Sequence, residues 1–315
     1  MSHPRRRRSR PAALLLPALL VLTACGGGSS STEEDTGTSA AAQEQPFPVT
    51  VTGDDGELTL EQQPESIVSM SATATEMLFA IGAGPQVQAV DSTSNYPEDA
   101  PITDLSAFTP NAEAVAAYQP DLVVLSDDMN GIVDALDALS VPTLLLGGAA
   151  TLDDSYEQLE TLGAATGHAD DAAKVIQDMQ DRIAAAVDSA ASAAAGLSVY
   201  HELDPTYYSA SSSTFIGGIY ELFGLENIAD EAPGAETGYP QLSAEYVVGA
   251  APDLIVLADT VCCDQTAEAL AQRPAFDTVP AVQEGRVLAA SDDVASRWGP
   301  RVADFAESVA EILNG

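Results

Sequence analysis

From Val49 onward, apolar residues fall into short dense runs separated by turns and by stretches in which they recur every third or fourth position. The first such stretch alternates around Gly53-Asp54-Asp55-Gly56, with Val49 to Thr52 before it and Glu57 to Leu60 after it, and predicts a hairpin. Ser66 to Met70 reads as a buried strand. Thr73 and Glu76 sit at capping-box spacing and predict a helix running through Phe79 and Ile81 to a stop at Gly82. Val87 to Val90 is the next strand, followed by an irregular loop holding Tyr96-Pro97. A helix is expected near Ile132 to Leu139 and a strand at Thr143 to Leu146. From Ala169 to Ala194 no Pro or Gly interrupts, and Val175, Met179, Ile183 and Val187 recur at helical spacing, so this stretch is one helix about 39 Å long. Beyond it come a strand at Leu197 to His201, a helix from Thr214 to Phe223 stopped by Gly224, a strand at Arg286 to Ala289, and a last helix after Pro300.

One unit occurs twice. Residues 112–127 (AEAVAAYQPDLVVLSD) and 244–259 (AEYVVGAAPDLIVLAD) share nine of sixteen positions at a constant offset of 132. Each copy is a short helix opened by a glutamate (Glu113, Glu245), a Pro-Asp turn, and an apolar strand ending in aspartate (Asp127, Asp259). One copy in each half predicts two similar lobes with a cleft between them, and strands alternating with helices predict parallel sheets covered on both faces. The fold class expected is therefore α/β, with two Rossmann-like lobes joined by one rigid helix.

The N-terminus changes where such a protein would work. Arg5 to Arg8 and Arg10 precede an apolar run from Pro11 to Leu22, and Leu22-Thr23-Ala24-Cys25 follows. This is the layout of an export signal, and the run is too short to span a membrane. Leu-Thr-Ala-Cys resembles the lipobox of bacterial lipoproteins, which implies that Cys25 is lipidated and becomes the first mature residue. Gly26 to about Gln45 has the composition of a flexible tether. The expected organisation is a signal peptide over 1–24, a lipidated tether over 25–46, an N-terminal lobe over 47–165, a bridging helix over 166–195 and a C-terminal lobe over 196–315.

Charge then excludes partners. Five of the 11 Lys and Arg lie in the first ten residues, whereas all 48 Asp and Glu lie at or beyond Glu33. So acidic a mature chain would be repelled by nucleic acid. Among the three histidines, His168 and His201 are too few to build a bare-metal cage, and no metal site or cofactor is expected of the protein itself. No nucleophile elbow, P-loop or dinucleotide fingerprint is present, so the chain is not expected to be an enzyme. Cys262-Cys263 have rival readings as a vicinal disulfide, two free thiols or a soft-metal contact, among which the sequence does not decide.

Taken together, the lipobox, Ser69-Met70-Ser71 leading into Ala72-Thr73-Ala74-Thr75-Glu76, Asn95-Tyr96-Pro97, Asn111-Ala112-Glu113 ahead of Pro120-Asp121-Leu122, the single long helix, Tyr239-Pro240-Gln241 ahead of Glu245, and Ser296-Arg297-Trp298-Gly299-Pro300-Arg301 carry a family likeness. Over about residues 62–315 the chain resembles the cobalamin, haem and ferric-siderophore class (class III, linked by a single helix) of solute-binding lipoproteins that feed ABC importers. The resemblance implies a monomer anchored by lipid to the outer face of the cytoplasmic membrane. It also implies that the protein captures a metal chelate or macrocycle in the interlobe cleft and delivers it to a permease. Motif matching implies that Glu113 and Glu245 dock on permease arginines. Ser71, Tyr96, Phe108, Tyr207, Tyr208, Arg297 and Trp298 are the candidate ligand-binding residues, the aromatics because they stack on planar ligands and Arg297 because a guanidinium suits carboxylate or phosphate. A structural pairing of Arg297 with Asp292, Asp293 or Asp304 is the competing reading. The alternatives in function are a receptor for another small organic solute, such as an anionic coenzyme precursor, or a membrane-tethered enzyme.

Overall fold

A computed structural model describes residues 47–315, so the expected signal peptide, Cys25 and the tether lie outside the described residues. The expected hairpin forms as β1 (Val49–Gly53) and β2 (Gly56–Leu60). Two four-stranded parallel sheets follow. The first comprises β3 (Ile67–Met70), β4 (Val87–Val90), β5 (Leu122–Leu125) and β6 (Thr143–Leu145) in the spatial order β4-β3-β5-β6. The second comprises β7 (Ser198–Glu202), β8 (Glu226–Asn227), β9 (Leu254–Leu257) and β10 (Val287–Ala289) in the order β10-β9-β7-β8. Every residue of β3, β5 and β9 is buried, as strands covered on both faces require. The hairpin is tied to the edge of the first sheet, where Asp54 N donates to Leu145 O at 2.8 Å and Gly147 N to the Asp54 carboxylate at 2.8 Å.

The helices of the first lobe are α1 (Ala72–Ala80), α2 (Ala112–Ala116), α3 (Ile132–Asp137) and α4 (Leu152–Thr166), and α5 (Ala169–Ala194) is the expected long helix. In the second lobe come α6 (Phe215–Leu222), α7 (Ala244–Ala250), α8 (Thr260–Cys263), α9 (Ala267–Ala271), α10 (Pro280–Gln283), α11 (Asp292–Ser296) and α12 (Val302–Asn314). The repeated unit becomes α2 with β5 and α7 with β9, capped by Asn111 and Ser243, whose side chains accept from the Ala114 and Tyr246 amides.

One helix was absent from the sequence reading and one expected cap is corrected. The run from Thr151 to Thr166 carries a helix that the sequence reading passed over, although Leu152, Tyr156, Leu159 and Leu162 recur at helical spacing and pack into the core. A second signal was the capping box, Thr151 with Asp154, which the structure completes in both directions. The box expected of Thr73 and Glu76 does not form. Ser71 caps α1, accepting from Ala74 N at 3.2 Å, and Glu76 turns instead toward the C-terminal segment.

That turn of Glu76 fixes the two halves together. The Glu76 carboxylate, 1% exposed, accepts from Arg297 Nη1 at 2.8 Å and from Arg301 Nε and Nη2 at 2.9 and 2.5 Å. Arg297 also donates to Asn95 Oδ1 at 3.0 Å, Thr93 O at 3.1 Å and Asp293 Oδ1 at 2.6 Å. Trp298 Nε1 reaches Gln158 on α4 at 2.9 Å, while the Ser155 hydroxyl donates to Trp298 O. Residues 297–301 are thus a strap from the second sheet onto α1 and α4 of the first lobe. Beyond the strap, α12 lays Val302, Phe305, Val309 and Leu313 along α5, and Arg182 of α5 closes the contact on Asp304 and Glu307.

Removing one member of a buried ion cluster leaves the rest uncompensated, which costs about 3–5 kcal/mol. Glu76→Ala is therefore expected to lower the unfolding free energy by about that amount in urea denaturation, against about 1 kcal/mol or less for an exposed carboxylate such as Glu57.

Candidate functional site

The carboxyl ends of parallel strands and the loops that follow them are where an α/β protein presents chemistry. Here the loops after β3, β4, β5 and β6 meet the strap. They enclose a cavity of about 410 Å³ lined by Met70, Ser71, Phe108, Asp127, Met129, Gly148, Arg297 and Trp298, with small and apolar neighbours. A second cavity of about 360 Å³ shares Gly148 and Trp298 with the first and takes its other wall from the second lobe, including Thr214, Phe215, Glu236 and Tyr239. The two cavities are halves of one cleft, with Trp298 at their junction. Gly148 lies across from it, where an added Cβ would stand 3.8 Å from Trp298 Cη2.

Of the sequence candidates, Ser71, Phe108, Arg297 and Trp298 line this cleft. Phe108 is 67% exposed, leaving a bare aromatic face over the opening. Ser71 is spoken for in part, since its hydroxyl caps α1. Arg297 contributes a wall but little charge, because Glu76 and Asp293 both neutralise it, which is in substance the structural pairing considered from the sequence.

Three candidates stand outside both cavities. Tyr96 lies beneath the Arg301 guanidinium, 4.2 Å from its ring centroid, in a separate cavity with Glu76 and Pro300. Tyr207 adopts φ 70°, which breaks the extended run and lays its ring on Phe276 at 6.3 Å with Arg273 5.4 Å away. Tyr208 is exposed and bridges to Gln241 without reaching the cleft. Neither tyrosine is carried into the cleft by a strand, since β7 closes at Glu202, before them.

Glu113 and Glu245 are exposed in the first turns of α2 and α7, so the two copies of the repeat present equivalent carboxylates to solvent. Cys262 and Cys263 are disulfide-bonded within α8, whose Val261 and Cys262 amides donate to Asp292 at 2.9 and 2.8 Å.

A family model described as "Periplasmic binding protein" matches residues 67–294. The chain belongs to the periplasmic binding protein family. An uncharacterized ABC transporter substrate-binding lipoprotein of Bacillus subtilis is 27% identical to this binding protein, covering 87% of this chain and 88% of its own length. A cobalamin-binding protein of Halobacterium salinarum is 31% identical, covering 85% of this chain and 74% of its own. Among solved structures, an iron uptake ABC transporter substrate-binding protein of Streptococcus pneumoniae superposes with a TM-score of 0.71 at 19% identity, over 84% of this chain and 98% of that one. The likeness bears out the expected two-lobed α/β fold, and the family is one of solute-binding proteins.

Sequence reasoning missed several wall residues of this binding protein. Met70 read as the end of a buried strand, Asp127 as a strand terminus and Tyr239 only as part of the family likeness, and Met129 was not singled out. For Asp127 a signal existed: it ends the strand of a repeated unit, and strand ends face the cleft in such sheets. Its counterpart Asp259 is fully buried, and both of its oxygens lack a partner among the described residues. Burial first, then the neighbouring Glu202 charge, pushes the Asp259 carboxyl up to about 7, while Arg273, bidentate on Glu202 at 2.6 and 2.7 Å, pulls the other way. On the same strand as Glu202, burial lowers His201 to about 3, so it is a neutral ring whose Nδ1 meets the Tyr220 hydroxyl at 2.6 Å.

The native protein thus keeps a proton on Asp259 that the unfolded chain, with an ordinary value of 3.8, has released. Stability on this account is greatest below that value and falls as pH rises toward 7. Asp259→Asn is expected to flatten that part of the stability profile and to raise the melting temperature at pH 8 relative to the parent. An unchanged difference between pH 5 and pH 8 would remove Asp259 from the explanation.

Proposed function

We propose that this chain is an extracytoplasmic receptor of an ABC importer, held to the outer face of the cytoplasmic membrane through a lipid on Cys25. In this reading it is a monomer that captures a corrinoid, haem-type or ferric-siderophore chelate in the cleft and delivers it to the permease. Residues 47–165 and 196–315 act as the lobes and 166–195 as the strut. The observation that carries the reading is the position of Trp298. The only tryptophan of the chain stands at the junction of two cavities, one walled by each lobe, with the exposed Phe108 across the opening. A broad, flat, apolar-faced solute suits such walls, because aromatic faces add stacking to the burial of area. The 31% identical relative named as cobalamin-binding and the ABC-transporter relative of nearly equal length support the same class.

Delivery requires a face that the permease recognises in both lobes. Glu113 and Glu245, exposed at equivalent places in the repeat, supply one carboxylate each and would pair with permease guanidiniums. Ser71, Phe108, Arg297 and Trp298 are the residues assigned to the ligand.

Trp298 makes the binding test direct. Titration with cobalamin, haemin and ferric siderophores should quench its emission with at least one Kd below about 10 µM, a modest affinity of about 7 kcal/mol. Weaker binding throughout would end the chelate reading. The double change Glu113→Arg/Glu245→Arg is expected to abolish uptake in cells while leaving that Kd unchanged, and transport at the parental rate would remove both residues from docking.

A further inference from the structure

The charge lining the cleft narrows the ligand class. Beyond Arg10 the sequence has six basic side chains, and every one of them lies in the described region and is paired with a carboxylate. Lys174 pairs with Asp171, Arg182 with Asp304 and Glu307, and Arg273 with Glu202. Arg286 pairs with Glu284, and Arg297 and Arg301 share Glu76. Only Arg297 reaches the cleft, and it cannot turn toward a ligand without abandoning the buried Glu76 and exposing the Asp293 contact.

Against that neutralised cation stand two carboxylates. Asp127 projects from the wall built by the first lobe and Glu236 from the wall built by the second, and both are exposed with no cationic partner among the described residues. The remaining polar side chains of the walls are serine, threonine and tyrosine hydroxyls, which are neutral. Screening confines distant charges to within about 8 Å at physiological salt, so these two carboxylates rather than the acidic surface at large set the local field.

We propose that the cleft selects a metal chelate of neutral or positive net charge and discriminates against anionic chelates. This rests on the reading of the cleft as a chelate site and specifies which chelates it takes: corrinoids and ferric hydroxamates, in preference to haem with its propionates and to ferric catecholates. The physical reason is that an anion entering the cleft loses hydration and finds no available cation, while a cation gains Asp127 and Glu236. Arg297, which looked suited to anion capture in the sequence, is consumed as a structural counterion of Glu76 and Asp293.

The test is a panel of five probes titrated against the emission of Trp298 at low and physiological salt. These are a cationic ferric trihydroxamate, a neutral ferric trihydroxamate, cyanocobalamin, haemin and a ferric tricatecholate. The tightest of the first three should bind at least about 100-fold more tightly than either anion, with the cationic probe alone weakened by salt. Asp127→Arg/Glu236→Arg, at two exposed positions, should lower the affinity of the cationic probe by about tenfold or more and raise that of the tricatecholate. An anionic probe as the tightest ligand, or equal affinities across the panel, would overturn the charge rule while leaving the chelate reading intact. Binding of none of the five would overturn the chelate reading and this inference with it.

Discussion

The carboxylate of Glu76 is the constraint on which the arrangement of this protein depends. It is buried in the first lobe and needs countercharge, and the two guanidiniums that supply it, Arg297 and Arg301, belong to the strap that follows the second sheet. Neither side is stable alone in that position: a lone buried carboxylate or a lone buried guanidinium carries several kcal/mol of unmet desolvation. Pairing them therefore fixes where the strap must run, and the strap in turn sets Trp298 at the mouth of both cavities and starts α12 on its path along α5. The run of the strap, the position of the aromatic wall and the neutralised charge of Arg297 in that wall are three consequences of one ion cluster.

The same cluster explains a tension that sequence reasoning could not resolve. A basic residue in so acidic a chain is conspicuous, and Arg297 beside Trp298 looked suited to an anionic ligand. An unpaired guanidinium at the cleft would have supported that. The structure instead gives both strap arginines to Glu76, so that what survives in the cleft is the aromatic surface and the Asp127 and Glu236 carboxylates. Charge count indicated scarcity of cations, but only the pairing shows that none is available.

What could be read from the residues followed from local periodicity and from repetition. The 26 residues of α5 were legible because an uninterrupted apolar stripe has one structural solution, and the two lobes because a helix-turn-strand unit appears twice with its Pro-Asp turn intact. The helix α4 was legible too, since Leu152, Tyr156, Leu159 and Leu162 recur at helical spacing behind the Thr151-Asp154 box, whereas the capping role of Ser71 was masked by the box spacing of Thr73 and Glu76. The cleft was half legible. Phe108 lies in the long loop after β4 and Trp298 in the segment beyond β10 and α11, at the end of the sheets where loops face a ligand, whereas the fates of Tyr96 and Tyr207 were settled by long-range partners, Arg301 and Phe276, that no local pattern names. Tyr239 required knowing that the second lobe's loop folds back against Gly148 and Trp298.

A clasp of this kind predicts lobes that hold their separation whether or not the cleft is filled. Paired spin labels at Asp137→Cys and Glu268→Cys, one exposed position on each lobe, with the three native cysteines replaced by serine, measure that separation directly. The account predicts a single narrow distance distribution that moves by less than about 2 Å on adding ligand and broadens in Glu76→Gln. A broad distribution in the parent, or a shift beyond that on binding, would contradict it.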